Sequence, residues 1–511
     1  MADFFQDLTG DLDRRFPRDG GKPEDAAYRH NLIARDGRLS SVKGTERLNA
    51  TDTGSLITWL ARYTTIESGI VSPKTVCYTN DGNLYRVDIV TGILTQAQSG
   101  LNQTAYPRHW QYKLGTQTLL FLVDGLNLWK YDGNDSNIWE NVGLKDALGD
   151  PVKPIDVIEH KDRLCLLTKN TLMISANLAP TTFDSAVDSI EIVLGSGKGE
   201  NIAFGKIDDN LFIFSTEGIF VLYGDTISAV ASTFEVRLAD NSHKAICTRT
   251  VINVENAIIF LGEDLELWSF SGSTMSCKLL SYKLKLKELM NHKRDWLDKA
   301  VACYYDNFYM LSFVEKGQTT NRMELWYDTF EEKMNLVYDR RVSCYCPVVL
   351  DSEQEERQYL QTGRSDVGRI MWCDRGTNFD DVAIEKKLTT KDITPKKGRN
   401  VRFSAFYPEL EPVGNRQFLL RYIIDGRLSN PSGSQADVMQ NEQGDVVSLG
   451  FITIANQEQF TDRFRPKIDY ARGTSIAFEI YDQTKDLALT VKGIGIDMID
   501  KAKKKGKKVG S

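Results

Sequence analysis

Short apolar runs recur along most of the chain, alternating with polar residues and separated by Asp, Gly and Asn. Leu119-Leu-Phe-Leu-Val123 and Asn210-Leu-Phe-Ile-Phe-Ser215 are typical, and period-two alternation between turn residues predicts β-strands. A strand-turn-strand phrase ending in an apolar or apolar-aromatic pair returns at nearly even steps. Its pairs are Leu84-Tyr85, Leu128-Trp129, Leu172-Met173, Val221-Leu222, Leu267-Trp268, Leu325-Trp326 and Met371-Trp372. Measured at the second member (85, 129, 173, 222, 268, 326, 372), the steps are 44, 44, 49, 46, 58 and 46 residues. A period of about 40–50 residues with several short strands per repeat predicts a β-propeller. It spans 51–378 with about seven blades, six being the alternative count. Each small sheet leaves an apolar face that only its neighbours can cover, so the pairs read as packing seams between blades. The one long step coincides with residues 286–300, where Leu286, Leu289, Met290 and Leu297 share a helical face; this predicts an inserted helix.

The flanks carry other patterns. Residues 1–50 read as an N-terminal arm of connecting strands, with a hairpin around Asp36-Gly37, because Asp-Gly between apolar runs is a strong hairpin signal. Residues 379–400 are charged without alternation and read as a linker. From 401 to 500 strand texture resumes, as in Phe418-Leu-Leu-Arg-Tyr-Ile-Ile424 and Ile476-Ala-Phe-Glu-Ile-Tyr481, which predicts a β-sandwich or small barrel. The loop Ser429–Gly444 is rich in Ser, Asn, Gly and Gln and is expected to be exposed. Residues 501–511 form a basic tail. The fold class expected is all-β, a propeller followed by a C-terminal sandwich-like domain.

Composition narrows the function classes. A chain of 511 residues exceeds the size at which one core stops growing. No run of 18 or more apolar residues occurs, so no membrane span is expected. The opening MADFFQDLTGDLDRRFP is acidic where a signal peptide is basic, and a cytosol-like compartment is expected. Eight cysteines lie mostly inside apolar runs; as buried thiols they behave as small hydrophobes. Cys344-Tyr-Cys346, the close pair, lacks a second pair or a His at metal spacing. The net charge of −7 argues against a dedicated nucleic-acid binder, though not against a surface past which DNA travels.

Candidate chemistry is sparse. Gly195-Ser-Gly197-Lys-Gly199 follows a strand but has neither P-loop spacing nor a following helix, and reads as a blade-to-blade connection. Asp132-Gly-Asn134-Asp-Ser136 opens like a calcium loop, yet Asn137 and Gly143 stand where that loop needs glycine and a bidentate carboxylate. His30, His109, His160, His243 and His292 show no metal-site spacing, and no Gly-x-Ser-x-Gly elbow occurs. Asp52-Thr-Gly54 with Thr58-Trp59 is a near miss to a glycosidase Asp-box, two residues too long. No catalytic, cofactor-binding or metal residue is expected, and no enzyme. Lys501, Lys503, Lys504, Lys505, Lys507 and Lys508 are candidates for DNA or partner contact, since such a run can neutralise phosphates.

Three phrases in fixed order carry a family resemblance. They are Tyr28-Arg-His-Asn31 through Lys43-Gly44; His160-Lys-Asp162-Arg163-Leu164 with Ser175 to Asp184 and Ile192-Val-Leu-Gly195; and Ile202-Ala-Phe-Gly-Lys-Ile through Glu217-Gly-Ile219-Phe-Val-Leu222. Together they resemble the tail nozzle or hub (tail stabilisation) proteins of short-tailed bacteriophages, β-propeller proteins of the virion. The stretch 160–223 is the most specific. The family often has an acidic residue where Lys198-Gly199 stand here, so no ligand is assigned to that loop. The resemblance implies a structural protein of the phage tail, assembled in the host cytoplasm. Its copies would form a ring, expected to be a hexamer, below the portal and its adaptor proteins. That ring would meet tail fibres or spikes and enclose the channel for ejected double-stranded DNA. The alternatives are a glycan-binding or glycan-cleaving propeller at a tail tip, and a cytosolic interaction propeller.

Overall fold

A computed structural model describes the chain outside residues 1, 16–21, 23, 68–69, 104–105, 133–138, 147–148, 185–187, 228–231, 274–275, 353–354, 395–399, 413–415, 426, 429–437, 441–445, 449–450, 455–471 and 500–511. The chain forms two compact units, one of residues 46–325 and 339–373, the other of 1–45, 326–338 and 374–511.

Among the described residues, seven β-sheets form an all-β propeller. Six are built from consecutive strands, spanning Ile57 to Gln98, Arg108 to Asn141, Asp156 to Val193, Asn201 to Asp240, Ile252 to Leu279 and Val301 to Tyr338. The seventh orders Val342–Ser352, Glu355–Arg364 and Ile370–Cys373, and its fourth strand is Thr45–Arg47 from the start of the chain. The first strand of every sheet touches the first strand of the next, and Val342–Ser352 returns to Ile57–Glu67. The ring is closed and has seven blades.

All seven repeated pairs fall on the third strand of a sheet, and the geometry explains why. Successive residues of a strand point to opposite faces, and each face of a blade meets a different neighbour. Leu128 packs toward the third blade with Leu164 and Met173, while the adjacent Trp129 packs toward the first with Trp59 and Leu84. Leu172 then meets Phe204 and Leu222 of the fourth blade, and Val221 meets Phe260 and Phe270 of the fifth. At the closing seam Ile57, Leu60 and Cys77 pack on Cys344, Val348 and Trp372. An apolar pair is therefore the minimum that lets one strand feed two seams.

Turn chemistry fixes the hairpins. Lys161-Asp162 and Asp306-Asn307 are two-residue loops between paired residues, and all four have positive φ, as the hairpin-compatible I′ turn requires. Asp124 ends the second strand of its blade and holds the next turn. Its carboxylate accepts from the backbone of Leu126 and Asn127 and from Trp129 Nε1, at 2.9, 2.7 and 2.9 Å.

Residues 286–300 are not one helix but two single turns, Leu286–Leu289 and Arg294–Leu297. The four residues expected on its apolar face are all buried. Between the turns the backbone bonds a strand instead, Asn291 N to Val314 O at 2.9 Å and Lys316 N to Leu289 O at 2.8 Å. Strand-like pairing there has overridden helical spacing.

The smaller unit holds two six-stranded antiparallel sheets. One orders Leu32–Arg35, Arg38–Ser41, Leu489–Ile499, Val401–Pro412 and Arg472–Gly473, with Ala2–Asp7 also on Leu489–Ile499. The other orders Ala26–His30, Lys386–Thr390, Ile476–Asp482, Arg416–Ile424 and Arg427–Leu428, with Phe451–Ile454 on Arg416–Ile424. Phe406 of the first meets Tyr422 and Phe478 of the second at ring separations of 5.1 and 5.3 Å, so the sheets face each other as a sandwich. The expected hairpin at Asp36-Gly37 is present. Strands from the segment read as an arm enter both sheets, and Lys386–Thr390 makes part of the expected linker a central strand. That strand is anchored by buried Lys386, whose Nζ donates to Asp482 Oδ2 at 3.1 Å and to Leu487 O at 3.0 Å.

Candidate functional site

Seven first strands in a ring leave an axis to be filled, and the side chains near it show what the propeller can do. Arg249 lies on a single 3-10 turn, Thr248–Thr250, in the connection between the fourth and fifth blades. It is only 6% exposed. Its Nη1 donates to Thr58 O at 3.2 Å and Ser343 O at 3.0 Å; its Nη2 donates to Asp298 O at 3.4 Å and Lys299 O at 2.9 Å. The guanidinium also lies over the Tyr106 ring, 4.2 Å from its centroid. These partners belong to the first and seventh blades and to the connections that lead into the sixth and second. Groups from so many sectors converge only at the axis, so Arg249 closes it at the face bearing the blade-to-blade connections. Burial lowers the Arg249 pKa, but it starts so high that the group stays cationic.

Further polar contacts stitch neighbouring blades. Arg108 Nε donates to Asp156 Oδ1 at 3.0 Å, and Asp156 Oδ2 accepts from Phe204 N at 2.8 Å, which joins the second, third and fourth blades. Trp59 Nε1 donates to His109 Nδ1 at 3.0 Å, between the first and second blades. Burial, reinforced by Arg108, pushes the His109 pKa down to about 3. His160, 1% exposed, is pushed down to about 4 by burial and then by Lys161 and Lys206. Both imidazoles are neutral at pH 7. The buried thiols are pushed up by desolvation, Cys165 and Cys346 to about 12 and Cys344 to about 11, which leaves them unreactive.

The glycine-rich connection 195–199 does cradle an anion, and the anion is the protein's own. Glu217 accepts from Ser196 N at 2.9 Å and from the Ser196 hydroxyl. A Cβ at Gly195 or Gly199 would strike that carboxylate or its side chain, so the glycines there serve close approach. Those bonds hold the Glu217 pKa below its usual value.

Of the phrases that carry the resemblance, 28–44 lies in the sandwich unit, 160–184 in the third blade, and 192–223 from the end of the third blade through the fourth. Asp52 caps a turn, accepting from Gly54 N at 2.8 Å and Gly368 N at 3.0 Å. Most of the calcium-like loop, and Lys501, Lys503, Lys504, Lys505, Lys507 and Lys508, lie outside the described residues.

One cluster was not legible in the sequence. Asp240 ends the outer strand of the fourth blade, His243 follows in the next turn, and Cys277 opens the outer strand of the fifth. Among the described residues these three form the group whose potential metal-ligating atoms all lie within 4.8 Å of one another. His243 Nδ1 is 3.1 Å from Asp240 Oδ2, and its ring lies on Trp268 with centroids 4.3 Å apart. Asp240 Oδ1 accepts from Ser242 N and His243 N at 2.7 and 3.0 Å. The spacing of 34 residues between His243 and Cys277 follows no compact motif, because propeller topology makes it.

No family model matches the chain, and no curated protein does. Among solved structures, the β-propeller domain of Cps50 (Swd1) from Myceliophteria thermophila matches with a TM-score of 0.40 at 10% sequence identity, covering 65% of this chain and 99% of that one.

Proposed function

We propose that the chain is a structural protein of a phage tail, a nozzle or hub subunit that assembles as a ring continuing the DNA-ejection channel. The observation that carries this reading is the closed axis. Arg249, bonded to backbone oxygens from several sectors at the axis, suits a propeller that builds a wall and not one that passes a duplex through its own centre. A DNA channel would then run through a ring of copies, and a chain of net charge −7 favours a wall that repels phosphates and lets the duplex slide. A closed ring of blades leaves only short outer edges, which suits a wall under load. The phrase 160–223, which carries the family resemblance, lies on the third and fourth blades of that propeller.

The glycosidase alternative requires arginines and carboxylates presented at a mouth. Arg249 is bonded to backbone carbonyls, and Asp156 is buried and already accepts from Arg108, Val157 N and Phe204 N. These groups are committed to structure, so that reading gains no support from them.

Electron microscopy of the purified full chain tests the proposal. Rings with a central pore are expected, together with peptides of this chain in purified virions. A protein that stays monomeric at every concentration, with virions that lack its peptides, would overturn it.

A further inference from the structure

We propose that Asp240, His243 and Cys277 form a zinc site on the seam between the fourth and fifth blades, with an open fourth position. Thiolate, imidazole and carboxylate together suit a borderline-soft ion of tetrahedral preference, and three protein ligands plus solvent is a familiar zinc arrangement. The 3.1 Å between His243 Nδ1 and Asp240 Oδ2 is close to the roughly 3.3 Å edge of a tetrahedron with ~2.0–2.1 Å bonds. The hydrogen bond now joining them shares a proton where the site would share an ion.

The surroundings are built as ligand supports are. Backbone donors hold Asp240 Oδ1 and leave Oδ2 directed at the imidazole. The Trp268 ring fixes the plane of His243, and Trp268 is itself held by Nε1 donating to the Asp264 carboxylate at 3.1 Å. Cys277 is half-buried, whereas the other seven cysteines are buried. Without metal it is a thiol. On binding, Cys277 Sγ releases its proton to solvent and its lone pair forms the zinc–sulfur bond in place of a water on the ion. Binding therefore strengthens with rising pH.

The test uses the full chain stripped with chelator and titrated with zinc alone, then with cobalt as a spectroscopic substitute. One equivalent should bind, with a near-ultraviolet thiolate-to-cobalt charge-transfer band. Cys277→Ser should abolish the band. His243→Ala and Asp240→Asn should weaken binding by more than the roughly 10–100-fold that losing a supporting group costs. His292→Ala, at an exposed histidine outside the cluster, should change neither. In the unmutated protein zinc should protect Cys277 from alkylation, read by peptide mass spectrometry, so the proposal does not depend on any variant folding. A cobalt complex without the charge-transfer band, or Cys277 alkylated equally fast with and without zinc, would overturn it.

Discussion

Replacing Arg249 with alanine removes the group that closes the propeller axis, and the consequence can be worked from its contacts. Two of its four bonds are of ordinary length, 2.9 and 3.0 Å, and two are long, 3.2 and 3.4 Å. Hydrogen bonds from a charged donor contribute about 1.5–3 kcal/mol each, so the two short ones represent roughly 3–6 kcal/mol. Stacking on Tyr106 adds ~0.5–2 kcal/mol. Against this, the guanidinium is buried among neutral carbonyls with Nε unbonded, and the desolvation of such an ion takes back several kcal/mol. Water entering the vacated space would also re-satisfy part of the carbonyl set. The expected net loss is about 2–3 kcal/mol. A chain of two units need not unfold in one step, so the assay is native-state hydrogen exchange. Amides at 57–63, 298–305 and 342–348 should exchange about 30–140-fold faster together, the equivalent of that free energy. Arg249→Lys should fall between, since an ammonium cannot fan out to four carbonyls. Acceleration confined to 246–252 would refute the idea that Arg249 ties distant blades.

Acidification should destabilise the propeller through His109 and His160. Their folded pKa values, about 3 and about 4, lie below the unfolded value near 6.5, so the unfolded chain takes up protons first. Stability is full above pH ~6.5 and falls by about 1.4 kcal/mol per pH unit for each histidine as pH drops toward the folded values. Melting temperatures from pH 8 to 5 should show the decline, and the double variant His109→Gln/His160→Gln should flatten it; an unchanged slope would count against the assignment. Trp372→Ala at the closing seam should cost about 3–5 kcal/mol, seen as exchange spreading through both the first and seventh blades. In the sandwich, Lys386→Met leaves buried Asp482 uncompensated and should cost about 3–5 kcal/mol. A hydrophobic pair at both positions should recover much of it, and a Lys386→Met melt equal to the parent's would disprove the role. Glu217→Ala should speed exchange at 195–200 and leave the blade strands alone.

The propeller was legible because its third strands obey a local rule: each needs adjacent apolar residues to serve two seams, and seven such pairs at even steps survive any error in strand limits. The axis was not legible. Arg249 looks like any arginine in a turn, and its partners Thr58, Asp298 and Ser343 are far away in sequence and contribute only backbone oxygen. The same blindness hid the Asp240, His243 and Cys277 cluster, assembled by the pairing of outer strands. Residues 386–390 looked like linker because Lys386 and Lys387 mask a strand. The ion pair that permits a buried lysine has its other half at Asp482. The helix expected over 286–300 failed for the converse reason, since its spacing was right for burial and blind to the strand-like bonds of Asn291 and Lys316.

The seventh blade takes its fourth strand from Thr45–Arg47, and that fixes an order in time. A ribosome adds roughly 5–20 residues per second, so this early strand emerges on the order of tens of seconds before Ile370–Cys373, the strand it must join. Throughout that interval the nascent arc is an open fan whose free backbone edge could recruit another chain. Glu46 and Arg47 are exposed in the finished blade, and charges on such a strand discourage premature pairing. The strand that completes the seventh blade is thus made long before the strand it joins, and its two charges disfavour pairing with other chains in the meantime.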